Sequence, residues 1–225
     1  MDVTQSSMLI FDMDGVLVDV SESYRAAIAA TVEQFTKTTP SAELIQRYKN
    51  DGGWNNDWEL SHRLIFDLAQ RDVPYPEVVS VFQSHFLGRD HDGLVLRERW
   101  LPSPGLLERL AQRHSLALFT GRPCAEVEFT LDRFAPEIRW KDIVADGDVA
   151  AAKPAPDGLL AIKSRHADAA LNYIGDTVDD ARSASAAGVR FIGVADRRHD
   201  GLEEILRKEG ADAVIENVNE LEQSL

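Results

Sequence analysis

The sequence predicts an α/β fold in which a Rossmann-like, doubly wound parallel sheet carries an inserted α-helical domain. Three observations support that expectation. Apolar runs alternate with helical stretches from residue 102 onward, the first apolar run stops on two aspartates and a glycine, and residues 21 to about 88 keep helical spacing without a convincing strand. The first strand is expected at residues 8–12, where an unbroken apolar run suits a sheet buried on both faces. Ser21 is placed to cap a helix running through Tyr24, Ile28 and Val32, while Leu60, Leu64, Ile65 and Leu68 fall on one face of another. After Pro102-Ser103-Pro104-Gly105, helices are expected near 104–114, 124–134, 155–166, 178–187 and 201–209. They separate strands near 116–120, 142–145, 171–175, 190–194 and 213–216. Because the first strand joins that sheet, residues 1–19 and 101–225 read as the core and 20–100 as an inserted cap. No internal repeat or low-complexity segment interrupts the pattern.

The strand ends carry the chemistry. Asp12 and Asp14 flank Met13 and precede Gly15, and two carboxylates so close repel unless a cation or shared proton relieves them. Capping of a turn is the alternative, with Gly15 supplying a positive φ. The second apolar run, residues 115–123, ends in Thr120-Gly121-Arg122-Pro123. There a hydroxyl can donate to an oxyanion, Gly121 lets the backbone come close, and Pro123 suits the first turn of a helix whose free amides point at the anion. Arg122 could reach a phosphate or an anion beside it, or lie at the surface. Lys153-Pro154 follows in a proline-punctuated loop. Tyr173-Ile174-Gly175-Asp176-Thr177-Val178-Asp179-Asp180 then repeats the pattern of strand, glycine and acid, with Asp176 and Asp180 four apart as a helix begins. Asp19 stands where the chain enters the insertion and suits a hinge.

In that order, Asp-x-Asp-Gly, Thr, Lys and Gly-Asp-x-x-x-Asp resemble the four motifs of the haloacid dehalogenase superfamily along essentially the whole chain. The long first interval resembles the helical C1-type cap of the subfamily I proteins that include phosphoglycolate phosphatases and β-phosphoglucomutases. The resemblance implies that Asp12 is the nucleophile, Asp14 the general acid/base, Thr120 the phosphate-binding hydroxyl and Lys153 the charge-balancing lysine. It also implies that Asp176 and Asp180 are metal acids, and its spacing leaves Asp179 exposed or supporting. A phosphate monoester brings two negative charges and Asp12 a third, so a hard cation is expected. Mg²⁺ would take Asp12, Asp176 and the main-chain carbonyl of Asp14, with Asp180 nearby. Lys153, Thr120 and Gly121 would receive the phosphoryl oxygens. Asp12 would attack to give an aspartyl phosphate, and Asp14 would protonate the leaving alcohol and then activate water. An acid at position 14 belongs to the phosphatase and phosphomutase branches rather than to dehalogenases or phosphonate-cleaving relatives.

Composition sets the partners. With 225 residues and a net charge of −14 the chain offers no basic stripe, which argues against nucleic acid and anionic membranes and for a small phosphorylated metabolite. Cys124 is the only cysteine, so no intramolecular disulfide forms and a reducing compartment is expected. The N-terminus lacks a basic and then apolar leader, and no run reaches the ~18 apolar residues of a membrane span; a cytoplasmic protein is expected. Substrate choice is expected from residues 47–58, with Lys49, Asn55 and Asn56 as contacts and Trp58 in the cap core. The Gly-Gly-Trp-Asn-Asn-Asp-Trp segment resembles capped phosphatases related to proteins joined to histidinol-phosphate aminotransferase. That admits histidinol phosphate beside a sugar or hydroxy-acid phosphate. The alternatives to a Mg²⁺-dependent phosphatase are a phosphomutase of the β-phosphoglucomutase type and a noncatalytic phosphate-binding module.

Overall fold

Six parallel strands and their covering helices carry most of the chain in the computed structural model, which describes residues 6–225. The stretch read for a leader lies, through residue 5, outside the described residues. After β1 (Ser6–Phe11), two short strands, β2 (Val18–Asp19) and β3 (Arg99–Trp100), pair as a ribbon where the chain enters and leaves the insertion. Between them run α1 (Tyr24–Thr36), α2 (Ala42–Asp51), α3 (Asp57–Ala69) and α4 (Tyr75–Phe86). Then follow α5 (Leu106–Ala111), β4 (Ser115–Pro123), α6 (Cys124–Phe134), β5 (Trp140–Asp146), α7 (Asp157–Arg165) and β6 (Ala169–Gly175). The chain closes with α8 (Val178–Ala187), β7 (Arg190–Val194), α9 (Leu202–Lys208) and β8 (Ala213–Ile215). Residues up to 18 and from 100 to 225 form one compact unit, and 19–99 a second.

The sheet order is β5-β4-β1-β6-β7-β8, with every pairing parallel. From β1 the chain steps outward through β4 and β5, then returns across β1 to build β6, β7 and β8 on its other side. That reversal is the switch point at which such sheets bind ligands, outside the carboxyl ends of the strands. Burial on both faces explains the unbroken apolar run of β1. Met8 and Ile10 join Phe119, Tyr173 and Phe191 in a core covered by Leu159 and Ile162 of α7, Ala181 and Ala184 of α8 and Leu206 of α9. The opposite parity, Leu9, Phe11, Leu116 and Leu118, is equally buried, and α5 and α6 pack against β4. The alanines of α8 let that helix lie close to the strands beneath it.

In the second unit, Tyr24, Ile28 and Val32 of α1 meet Leu60, Leu64 and Ile65 of α3 and Phe82 and Phe86 of α4, with the Tyr24 and Phe86 rings 4.0 Å apart. Two expectations need correction. Leu68 is 41% exposed, because α3 turns that position off the buried stripe. Ser21 does not cap α1; its amide and hydroxyl both donate to Asp19 Oδ1, and the helix begins at Tyr24. Asp19 also accepts from Arg99 Nη2 at 2.9 Å, so one carboxylate ties the incoming strand to the outgoing one. Among the described residues, no helix is long and apolar enough to cross a membrane.

Candidate active site

β1 delivers Asp12 to the end of the sheet, where its amide still donates to Ile174 O of β6 at 2.8 Å before the chain leaves the strand. The chain then turns tightly: Leu17 and Val18 both donate to Met13 O, and Gly15 donates to Val18 O. Gly15 takes φ 73°. A Cβ there would stand 2.0 Å from Asp176 Oδ2, so glycine serves both the turn and the close approach of the two acidic loops.

Three carboxylates meet at this edge. Oxygens of Asp12, Asp176 and Asp180 lie within 4.8 Å of one another, a hard-oxygen donor set of the kind that Mg²⁺ takes. Lys153 enters from the loop before α7 and is buried; its Nζ stands 2.9 Å from Asp12 Oδ1 and 2.7 Å from Asp180 Oδ1, and it donates to the Tyr173 hydroxyl at 3.0 Å. Tyr173 donates in turn to Asp180 Oδ1 at 2.6 Å. The other oxygen of Asp180 accepts from the amides of Asp176 and Thr177 and from the Thr177 hydroxyl, which itself accepts from Asp180 N. This reciprocal cap starts α8. Gly175 is needed beside it, since a Cβ there would come within 2.6 Å of Asp180 Cβ.

The electrostatics divide the two carboxylates that share Lys153. Burial pushes Asp12 up to about 7; Lys153 pulls against that shift, while Asp180 and Asp14 add to it. Burial acts on Asp180 in the same sense, but Lys153, Tyr173 and Thr177 outweigh it and hold that acid below its ordinary value. Asp180 therefore holds its charge with a full set of donors, whereas Asp12 lacks enough positive charge to stay ionised easily. A cation beside Asp12 would supply what is missing. Burial alone would lower Lys153, yet Asp12 and Asp180 overcome it and keep the amine charged. Burial and the two acids drive the Tyr173 phenol well above its ordinary range.

Thr120 ends the unbroken buried run of β4, its hydroxyl accepting from Arg122 N at 3.3 Å, and Gly121 follows it in an exposed position. The strand continues to Pro123, which stands just before α6 as its N-cap rather than within its first turn. Arg122 departs from one of the two expectations made for it. It is 1% exposed, so it is not a surface residue, and its guanidinium is engaged with the carboxylate of Asp14 at Oδ1 and with the Thr130 hydroxyl. Asp179 is buried, not exposed, and lies outside the carboxylate cluster. Cys124 is exposed.

Lys49, Asn55 and Asn56 form a separate group in the helical unit. Lys49 Nζ pairs with Asp57 Oδ1 at 2.5 Å and donates to Asn55 O at 3.2 Å, and Asn56 Oδ1 caps α3 by accepting from Trp58 N and Glu59 N. Trp58 is only partly buried. Sequence reasoning missed Tyr173, Thr177 and Thr130. Thr177-x-x-Asp180 carried a capping signal that was available; Tyr173 and Thr130 meet their partners from neighbouring elements, in no spacing that marks a motif.

Residues 9–194 match the family model for haloacid dehalogenase-like hydrolases. The chain is 36% identical over 200 residues to imidazoleglycerol-phosphate dehydratase of Phytophthora nicotianae, a match covering 83% of this chain and 42% of that relative's length. It is 23% identical over 228 residues to phosphoglycolate phosphatase of Escherichia coli, covering 94% of this chain and 89% of the relative. A haloacid dehalogenase-like hydrolase of Streptococcus pneumoniae shares the fold with a TM-score of 0.77 at 19% identity, covering 99% of both chains.

Proposed function

The chain belongs to the haloacid dehalogenase-like hydrolases, and we propose that within that family it is a Mg²⁺-dependent phosphatase acting on a small-molecule phosphate monoester through an aspartyl phosphate. The observation that carries this reading is the meeting of Asp12, Asp176 and Asp180, with Lys153 paired to Asp12 and Asp180 and a fourth carboxylate, Asp14, two residues beyond Asp12. Mg²⁺ held by Asp12, Asp176 and the main-chain carbonyl of Asp14, with Asp180 beside them, would offset the negative charge of nucleophile and substrate.

The remaining work falls to side chains. An oxygen of Asp12 attacks phosphorus as the bond from phosphorus to the alcohol oxygen breaks, and Asp14 gives its proton to that departing oxygen. Asp14, now a carboxylate, takes a proton from water; the hydroxide attacks phosphorus, the bond to Asp12 breaks, and phosphate leaves. Lys153 stays charged throughout and balances Asp12, while the Thr120 hydroxyl and the Gly121 amide receive phosphoryl oxygens. Asp180 holds Lys153 and the loop of Asp176 in place.

Two relatives support the substrate class. Both carry names built on a phosphate monoester, and the more similar one names an imidazole-bearing substrate, a class to which histidinol phosphate belongs. We assign leaving-group selectivity to the helical unit through Lys49, Asn55 and Asn56. The test is phosphate release from histidinol phosphate, phosphoglycolate and a set of sugar phosphates, with Mg²⁺ and with chelator, for the parent protein and Asp12→Asn. Metal-dependent release lost in the variant supports the reading. Conversion of a sugar phosphate to its isomer, dependent on a bisphosphate, would replace it with a mutase, and binding without either reaction would replace it with a noncatalytic module.

A further inference from the structure

Arg122 is among the largest fully buried side chains in the protein, and a charge so placed is costly unless it is fully engaged. Its Nε and Nη2 reach the same oxygen of Asp14, Oδ1, at 2.7 and 2.5 Å, and Nη1 donates to the Thr130 hydroxyl at 2.9 Å. This is not the usual fork, in which each carboxylate oxygen takes one N–H. Both donors converge on Oδ1, and Oδ2 carries neither. The guanidinium is itself fixed at two points, through its backbone at the end of β4 and through Thr130 on α6, whereas Asp14 stands on a loop with its side chain 31% exposed. A rigid group thus holds a carboxylate that the loop alone would leave free to rotate.

We infer that Arg122 is a positioning residue for Asp14, clamping Oδ1 so that Oδ2 is the oxygen that exchanges the proton with leaving group and water. The inference rests on the acid/base role proposed for Asp14. In the transfer step the O–H bond at Oδ2 breaks as the alcohol O–H forms, the ester bond to phosphorus breaks, and the bond from phosphorus to Asp12 forms. Arg122 touches none of these atoms. Its loss therefore acts on proton delivery, and its effect scales with how much the leaving group needs a proton. An arginine that bound the phosphoryl group would instead act on all monoesters alike, because they share that group.

The test compares kcat/KM for p-nitrophenyl phosphate, whose leaving group departs without help, with that for phenyl phosphate, whose leaving group is far more basic. Asp14→Asn, Arg122→Met, Arg122→Lys, Thr130→Val and the Asp14→Asn/Arg122→Met double variant are measured against the parent, with thermal melting of each. We expect Arg122→Met to lose at least about tenfold more on phenyl phosphate than on p-nitrophenyl phosphate, the same pattern as Asp14→Asn. The double variant then shows no selectivity loss beyond Asp14→Asn alone. Thr130→Val, which leaves the charge in place, reproduces the pattern at smaller amplitude and decides the matter if the methionine variant does not fold. Equal losses on both esters in Arg122→Lys and Thr130→Val, or losses additive with Asp14→Asn, overturn the positioning role. If Asp14→Asn itself shows no leaving-group dependence, or the parent hydrolyses neither ester, it is the acid/base reading that fails, and the role of Arg122 falls with it.

Discussion

At the scale of single residues, the central tension is between Asp12 and Asp180, two buried acids that share one lysine. The pH dependence follows from its resolution. Asp12 rises from an ordinary 3.8 to about 7 on folding, chiefly through burial, so between those values the native state binds more protons than the unfolded one. Its contribution to stability therefore weakens as pH climbs from about 4 to 7 and stays unfavourable above. Without metal, Asp12→Asn removes this penalty. Its melting temperature at pH 8 in chelator should exceed the parent's by a few degrees, on the order of what 1 kcal/mol yields in a domain of this size, and the gain should vanish near pH 4. A lower melting temperature at pH 8 contradicts the assignment. Asp176 and Asp179 supply a second contrast. Asp176 stands in the turn into α8 and Asp179 in that helix's first turn, but only Asp176 belongs to the carboxylate cluster. Asp176→Asn should weaken Mg²⁺ activation by at least about tenfold and Asp179→Asn much less, as read from activity against Mg²⁺ concentration. Equal effects mean that the cluster is misassigned.

Among the elements, the turn from β6 into α8 shows how local capping and chemistry coincide. Thr177 and Asp180 cap each other, and Asp180 uses its other oxygen to hold Lys153 and Tyr173. Thr177→Ala should cost about 1 kcal/mol of stability in a denaturant titration and also weaken metal activation, because the acid loses a donor and its loop loosens. A stability loss with unchanged metal dependence would confine Thr177 to capping. The loop between α2 and α3 poses the reverse question, since its polar residues already have structural partners. Asn56→Ala should cost about 1 kcal/mol through the lost cap whatever its other role. Lys49→Ala and Asn55→Ala should lower kcat/KM for the preferred metabolite by about one to two decades while sparing p-nitrophenyl phosphate. Equal losses on both substrates assign the loop to folding alone.

Across the whole molecule, what was legible in the sequence follows the range of the interactions involved. The helices at 124–134 and 178–187 and the strand at 190–194 were readable to the residue, because apolar spacing, a proline and Gly188 mark their ends. The grouping of the carboxylates was readable from their places at successive strand ends, which a parallel sheet must bring to one edge, and Lys153 from its position between motifs in the resemblance. Ser21 misled because its hydroxyl had a nearer partner in Asp19, and Leu68 because a helical stripe does not say where burial stops. The partners of Arg122 and Tyr173 were illegible for a different reason: they include Asp14, 108 residues from Arg122, and Lys153 on a separate loop, and no local pattern encodes such pairs. In the function proposed above, the metal sets whether the site works. Chelation should abolish turnover, Mg²⁺ should restore it, and Ca²⁺ should inhibit, since its looser coordination misplaces Asp12. The central claim, that Asp12 carries the phosphoryl group, has one direct measurement: rapid acid quench of the Mg²⁺-loaded Asp14→Asn variant mixed with p-nitrophenyl phosphate, followed by peptide mass mapping. A single phosphoryl adduct on Asp12, labile to hydroxylamine and absent in Asp12→Asn, is the predicted result; turnover by the parent with no adduct in the variant, or an adduct on another residue, contradicts it.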